Sequence, residues 1–372
     1  MKEKILITGG AGFIGSHIAD ELLRHGYSVR VLDSLLPQVH GDRCLRPPYL
    51  DQEIELIRGD IRDAAAIEHA LQGVDAVYHL AAAVGVGQSM YEIANYSSIN
   101  NGGTAMLLES ITKHPVQRLV VASSMSIYGE GLYRTSAGTH VLVNERSIEQ
   151  LKQRRWELYA EDGSQLEPLP TPESKAPALP SIYALTKYDQ ERMCLMFGRA
   201  YEIPTVALRF FNVYGSRQSL SNPYTGVLAI FASRLLNNEP PLINEDGQQK
   251  RDFVFVQDVA RACRLALETP QAAGHAINIG SGHPISILEV ADLLAEMLER
   301  KDIGRTITCR YRKGDIRHCF ADLGLARSLL GYEPQVRFET GVVDFVEWLE
   351  GQTAVDHLVR AQNELLTRRL AI

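Results

Sequence analysis

Cysteine is scarce and scattered. The 5 in 372 residues (Cys44, Cys194, Cys263, Cys309 and Cys319) form no Cys-x-x-Cys pair. Such spacing signals neither a zinc site nor a disulfide framework, so no metal is expected and a reducing cytoplasm is the natural compartment. No apolar run reaches the length of a membrane-spanning helix, which argues against a membrane partner. The start, Met1-Lys2-Glu3-Lys4, lacks the apolar stretch of a secretion signal and runs straight into a strand-like segment. Basic charge is in deficit: 38 Lys and Arg face 45 Asp and Glu, for a net charge of −7. That balance disfavours nucleic acid or an anionic membrane as partner and leaves room only for a local basic site. No internal repeat at solenoid periods is present.

What is present is an ordinary globular composition, 45% hydrophobic and 22% charged, long enough for two domains or one large domain with an appended lobe. Short Val/Ile/Leu-rich runs, "KILITGG", "SVRVLDS", "IELIRGD", "AVYHLAA", "RLVVASS" and "PTVALRFF", alternate with segments of helical spacing. "GSHIADELLRHG" reads as a helix stopped by Gly26. The alternation predicts an α/β protein with a doubly wound parallel sheet covered on both faces. Residues 1–212 form the sheet domain, with 251–282 returning to it. Residues 213–250 and 283–350 form a smaller lobe, and 351–372 a charged amphipathic helical tail docked on a surface. Between about 130 and 180 no clear strand is visible, and "LEPLPTPESKAPALP" reads as extended. A segment this long is expected to be a lid, an oligomer contact or a disordered flap.

"ITGGAGFIGSH" places Gly9, Gly12 and Gly15 between the first strand and the first helix, and Asp33 ends the second strand. Such glycines let the backbone approach a pyrophosphate at a helix N-terminus, while the acid accepts hydrogen bonds from ribose hydroxyls. The spacing is Gly-x-x-Gly-x-x-Gly, and a glycine-rich turn without a ligand is the alternative. Asp33 would repel a 2′-phosphate, and "LDSLLPQ" holds no arginine to offset it, so NAD is favoured over NADP. "GDIRD" offers Asp60 and Ile61 to the adenine, although Asp60 reads equally as a helix N-cap. "HLAAA" follows with Leu80 and the small Ala81 and Ala82, where a backbone can pass close to the cofactor.

"VVASSMSIYGEG" ends an apolar run with the hydroxyls Ser123, Ser124 and Ser126. Further on, "SIYALTKYDQE" holds Tyr183 and Lys187 four residues apart, on one face of a helix. A lysine ammonium beside a phenol lowers the phenol's pKa, and Ser124 could bond the same substrate oxygen. Together the three form an acid–base set for moving a carbinol proton while a hydride leaves its carbon. A Tyr-x-x-x-Lys pair alone is commonplace; with the glycine turn and the Ser-ended strand it becomes specific.

Here the sequence resembles the extended short-chain dehydrogenase/reductases of the nucleotide-sugar epimerase/dehydratase group, over roughly residues 3–350 apart from the 130–180 insertion. The matching positions are Gly9, Gly12, Gly15, Asp33, Asp60, Asn100 in "INNGGT", Ser124, Tyr183 and Lys187, together with "RFFNVYG", "RDFVFVQDVA" and "KGDIRHCFAD". The resemblance implies a Rossmann-type domain. It also implies NAD contacts from Phe13, Ile14 and Asn100 beside the residues above, and from Tyr183 and Lys187. Asn212, Arg251 and Arg317 would meet the diphosphate of a nucleotide sugar, with Ser124 and Ser126 at the sugar. The group's 4,6-dehydratases carry an Asp-Glu pair after the catalytic hydroxyl; here Met125 and Ser126 stand there, and neither serves as an acid or base near neutral pH. Inversion at C4 of a nucleoside-diphosphate hexose is therefore the leading expectation, by an enzyme similar to UDP-glucose 4-epimerases or to dTDP-L-rhamnose 4-epimerases. The alternatives are a 4-ketosugar reductase and a non-catalytic NAD-binding regulator. A homodimer is implied as well. The small residues of "AAAVGVGQS", Gly85 and Gly87 among them, would leave room for the sugar to turn. The insertion would cover the sugar end, with Tyr133 and Trp156 as apolar contacts to the sugar or to a neighbouring subunit, or simply packed.

Overall fold

The computed structural model describes residues 2–41, 45–143, 145–224, 226–312 and 314–371. Its centre is a 7-stranded parallel sheet. The strands are β1 (Lys4–Thr8), β2 (Ser28–Asp33), β3 (Glu55–Arg58), β4 (Ala76–His79), β5 (Arg118–Ser124), β6 (Thr205–Phe210) and β7 (Ala276–Ile279). Their spatial order is β7-β6-β5-β4-β1-β2-β3. The order reverses beside β1, which opens a crevice at the carboxyl ends of the strands.

Successive strand side chains point to opposite faces, and the two faces feed different cores. Ile5 and Ile7 of β1, Val29 and Val31 of β2, and Val120 and Ala122 of β5 join one cluster. Leu6, Leu32, Leu119 and Val121 join the other. Burial on both sides explains why these strands read as continuous apolar runs, and each such Val, Leu or Ile contributes roughly 1.5–3 kcal/mol. Helices α1 (Phe13–Arg24) and α6 (Val256–Glu268) pack together over the first face. Helices α2 (Ala64–Leu71), α3 (Gly103–Lys113) and α4 (Ile182–Ala200) cover the second. Gly26 follows α1 at φ +86°, the left-handed stop expected of it.

Two assignments differ from expectation. Lys250–Phe255 is not part of the large sheet; it pairs with Asn212–Tyr214, Pro284–Ser286 and His318–Cys319 in a second sheet, so the return to the first begins only at α6. The lobe's core forms around Tyr214, Phe253 and Phe255 under helices α5 (Val227–Leu236), α7 (Ile287–Met297) and α8 (Phe338–Leu349). The insertion is not strandless either. Leu132–Arg134, His140–Val141 and Glu167–Leu169 form an antiparallel sheet with a small core of Tyr133, Leu158 and Leu166. Strands of only two or three residues are too short for an alternating pattern to show.

A buried charge network fastens the insertion to the lobe. Glu130 accepts the backbone N–H groups of Arg317, at 2.8 and 2.9 Å, and of His318 at 3.2 Å. Arg146 pairs with Glu245 at 2.8 Å and with Glu130 at 3.5 Å. Glu157 is pushed up by burial, but hydrogen bonds from His318 and Arg317 bring it down to about 2. Trp156 packs on Tyr311 with ring centroids 6.3 Å apart, and the Tyr133 hydroxyl donates to Glu130, so both aromatics serve packing.

Candidate active site

The glycine turn fits a dinucleotide. Gly9, at φ +70°, lies so close to the β4 loop that a Cβ would sit 2.9 Å from the Ala81 nitrogen. A Cβ on Gly15 would come within 2.6 Å of the Gly9 carbonyl oxygen. Gly12 is different: a Cβ there would meet only that carbonyl, at 3.4 Å, so the space before it is an open cradle. It stands at the N-terminus of α1, which no side chain caps and whose first turn holds no acid. The unpaired amides and the helix dipole suit a pyrophosphate there, with Phe13, Ile14 and Gly15 supplying the first N–H groups. Leu80 and Ala81 are tied to this turn by their N–H groups, which donate to the Thr8 carbonyl at 3.1 Å and the Thr8 hydroxyl at 3.3 Å.

Asp33 is buried at the end of β2 and accepts the N–H groups of Ala11 at 3.0 Å and Leu35 at 2.9 Å. His40 approaches it at 3.7 Å, a neighbour that sequence reading passed over. Arg217 reaches this corner over the Tyr49 ring, 5.2 Å away, but its charge is paired with Asp20 at 2.7 Å. The N-cap reading of Asp60 belongs instead to Asp63, which accepts from Ala65 and Ala66 at the start of α2. Asp60 holds Arg62 at 2.6 Å, while Ile61 is buried against Gly103. Asn100 lies in a π-helical turn, Ser97–Gly102, where it clasps Ala83 through both backbone groups, at 2.7 and 3.1 Å, and bonds Thr186 at 2.9 Å. Its amide thus shapes the loop that carries Ala81, Ala82 and Ala83.

The three hydroxyls that end β5 have separate tasks. Ser123 points into the core and donates to Glu191 at 2.6 Å. Ser124 caps the turn Met125–Tyr128 and receives the Ser126 hydroxyl at 2.9 Å. Ser124 also hydrogen-bonds Tyr183 in the sense that favours the phenolate. Burial outweighs this, and the Tyr183 phenol stands above its ordinary value. That corrects the expectation that Lys187 lowers it. The Lys187 ammonium donates to Gln190 Oε1 at 2.8 Å. Gln190 in turn meets Thr104 at 2.9 Å and His79 at 3.1 Å, a polar base under the site that one lone Gln in a helix did not announce.

Burial pushes Lys187 down to about 8 from 10.5. Between these two values the unfolded chain carries a proton that the folded one lacks, so this residue's contribution to stability rises with pH across the window. Relative to Lys187→Met, the wild type should gain about 3 kcal/mol between pH 8 and pH 10.5, at roughly 1.4 kcal/mol per unit. Urea unfolding of both proteins at the two pH values measures it, and a constant difference would contradict the burial.

A cavity of about 320 Å³ opens beside this set. Met125, Ser126, Pro180 and Ser181 wall it next to the hydroxyls, and Asn212, Asn244, Gln249 and Arg251 line the lobe side. Arg251 is held by the carbonyls of Ile316, Lys250 and Arg317. Arg310 and Arg312 join it, which sequence reading missed although "CRYRKGD" is a basic run in an acidic chain. Arg317 does not. Its five guanidinium N–H groups meet Glu157, Glu245 and Asp246, so the diphosphate contact expected of it finds no free donor. The room expected beside Gly85 is taken: a Cβ there would meet the Tyr96 hydroxyl at 2.9 Å and Tyr224 at 3.0 Å. The tail, expected as an amphipathic helix docked on a surface, lies over the cavity through helix α9 (Leu358–Thr367).

A pyrophosphate cradle on a seven-stranded doubly wound sheet, with a Ser–Tyr–Lys set facing a second lobe, defines a nicotinamide-dependent enzyme of hydroxyl–carbonyl chemistry. The chain belongs to the NAD dependent epimerase/dehydratase family, whose model matches residues 5–147 and 157–280. The dTDP-L-rhamnose 4-epimerase of Burkholderia thailandensis is 35% identical, over 93% of this chain and 95% of that protein. A putative UDP-glucose 4-epimerase of Methanocaldococcus jannaschii is 32% identical, over 93% and 98%. Among solved structures, the UDP-glucose 4-epimerase of Thermotoga maritima with UDP-glucose superposes with a TM-score of 0.77 at 32% identity, covering 93% of this chain and 98% of that one. The Thermus thermophilus UDP-glucose 4-epimerase in complex with NAD follows at 0.71 and 30%, covering 94% and 100%.

Proposed function

We propose that the protein is an NAD-dependent nucleotide-sugar 4-epimerase. It inverts C4 of a nucleoside-diphosphate hexose or deoxyhexose through a 4-keto intermediate. The observation that carries this reading is the Ser126–Ser124–Tyr183 hydroxyl chain, which opens on a cavity wall made of Met125 and Ser126 rather than carboxylates. Elimination of water needs an acid and a base at the sugar. Among the described residues lining the cavity, Asp315 is the one carboxylate, and Arg312 occupies it at 3.0 Å. The relatives' names point the same way, and dTDP-L-rhamnose and UDP-glucose are the first substrates to test.

In this reading Tyr183 takes the 4-hydroxyl proton and later returns it, while Ser124 holds the same oxygen. NAD, when bound, supplies a hydride acceptor that gives back what it took. Asn212 and Arg251, with Arg310 and Arg312, anchor the diphosphate and leave the sugar free to turn. Arg251→Ala should raise KM about tenfold or more, the scale of a lost charged hydrogen bond, with a smaller effect on kcat. Steady-state kinetics checks it, and an unchanged KM removes Arg251 from the anchor.

The decisive test incubates the enzyme with nucleotide sugars without added NAD(P)H and follows the C4 configuration by NMR. Stoichiometric consumption of added NAD(P)H, with no inversion in its absence, would replace the epimerase by a ketosugar reductase. A homodimer and a cytoplasmic location complete the proposal. Leu185 and Met196, about three turns apart on one face of α4, are exposed, which supports the first. Cys194, Cys263 and Cys319 are buried free thiols, which supports the second.

A further inference from the structure

We propose that residues 358–371 form a movable cap over the substrate cavity, latched by Glu364 and closed by the nucleotide sugar itself. The proposal rests on the nucleotide-sugar reading above and adds a moving part to it. Leu358, Ala361, Gln362, Leu365 and Leu366 recur at helical spacing and form one stripe of α9. That stripe faces the cavity rather than a packed core. Only Ala361 and Leu365 of the helix are buried. A helix this short is marginal by itself and takes its stability from what it packs on.

What holds it is a small set of contacts. Glu364 Oε2 accepts the Tyr91 hydroxyl at 2.9 Å and the Tyr224 hydroxyl at 3.3 Å, and the two hydroxyls are 2.5 Å apart. The Arg368 guanidinium lies 4.5 Å from the Tyr91 ring centroid. Leu365 lies over Gly87, where a Cβ would stand 3.4 Å from it. Ala371 bridges to Arg312 on the lobe. The cap therefore spans the mouth from the sheet domain to the lobe. Before it, Asp356 is pinned to Arg234 at 2.6 Å, so the fixed point and the start of the moving part are adjacent. With the cavity solvated, the half-buried Leu358 and Leu366 of the stripe meet water; a nucleotide sugar beneath them replaces that water and adds contacts, so binding and closure stabilise each other.

Hydrogen–deuterium exchange on the full chain, with and without saturating UDP-glucose and dTDP-L-rhamnose, tests this. The amides of 358–367 should exchange at least about tenfold more slowly with the bound nucleotide sugar. Glu364→Ala should abolish most of that protection and raise KM at least about fivefold. Protection around Asn212 and Arg251 with none at 358–367 would overturn the cap, as would wild-type KM and protection in Glu364→Ala. Absence of protection anywhere with either compound would instead count against the nucleotide-sugar reading on which the cap rests.

Discussion

Tyr183→Phe should lose at least about a hundredfold in turnover while keeping fold and cofactor, because it deletes one oxygen from a position that a general acid–base contributes to by that factor or more. The phenol is the point where the chain from Ser126 through Ser124 ends. Phenylalanine fills the same volume, so packing of α4 is unaffected. Its phenol stands above the ordinary value in this structure, which makes proton removal the difficult half of its cycle. Turnover rising with pH in the wild type and flat in the variant's residual activity would be consistent with that. Near-wild-type turnover in Tyr183→Phe would remove the residue from the mechanism.

Arg209→Met should cost about 3–5 kcal/mol of stability, the scale for stranding one partner of a buried ion pair. Glu191 is buried and receives Arg209 Nε at 2.9 Å and Nη2 at 2.7 Å, and the Ser123 hydroxyl at 2.6 Å. The same guanidinium donates to the Tyr128 hydroxyl at 2.8 Å. Removing it leaves a carboxylate with one hydroxyl partner inside the sheet domain. The double variant Arg209→Met/Glu191→Leu should recover much of the loss, since no charge is then left alone. Urea unfolding of the three proteins measures this, and a loss below about 1 kcal/mol in the single variant would show that the pair is better solvated than its burial indicates. The pair also explains why β5 ends in consecutive serines. Ser123 fixes the strand to α4, and Ser124, one residue on and on the opposite face, is left for the site.

Much of the sheet domain was legible because its signals are local. Apolar runs, the glycine turn and the Tyr183–Lys187 spacing each lie within a dozen residues. The parts that escaped are those set by distant partners. Nothing near Arg317 in the chain shows that Glu157, Glu245 and Asp246 consume its donors. Nothing near Lys187 shows its burial, or that its neighbour Gln190 is tied to the remote Thr104 and His79. Lys250–Phe255 reads like a strand of the large sheet, and only pairing with Asn212–Tyr214 assigns it elsewhere. The tail's amphipathic stripe was visible, but an apolar stripe does not say whether a core or a cavity lies beneath it.

The charge network that fastens the insertion bears on how the chain folds. The Glu130 carboxylate meets the Arg317 amide across 187 residues of sequence. Bringing such remote positions together carries a loop-closure cost that only a nearly complete structure offsets. The junction is therefore expected to form on the native side of the rate-limiting barrier. Weakening the junction, as in Glu157→Gln, should speed unfolding severalfold and leave the refolding rate about unchanged in stopped-flow measurements. Slower refolding with an unchanged unfolding rate in that variant would place the junction before the barrier instead.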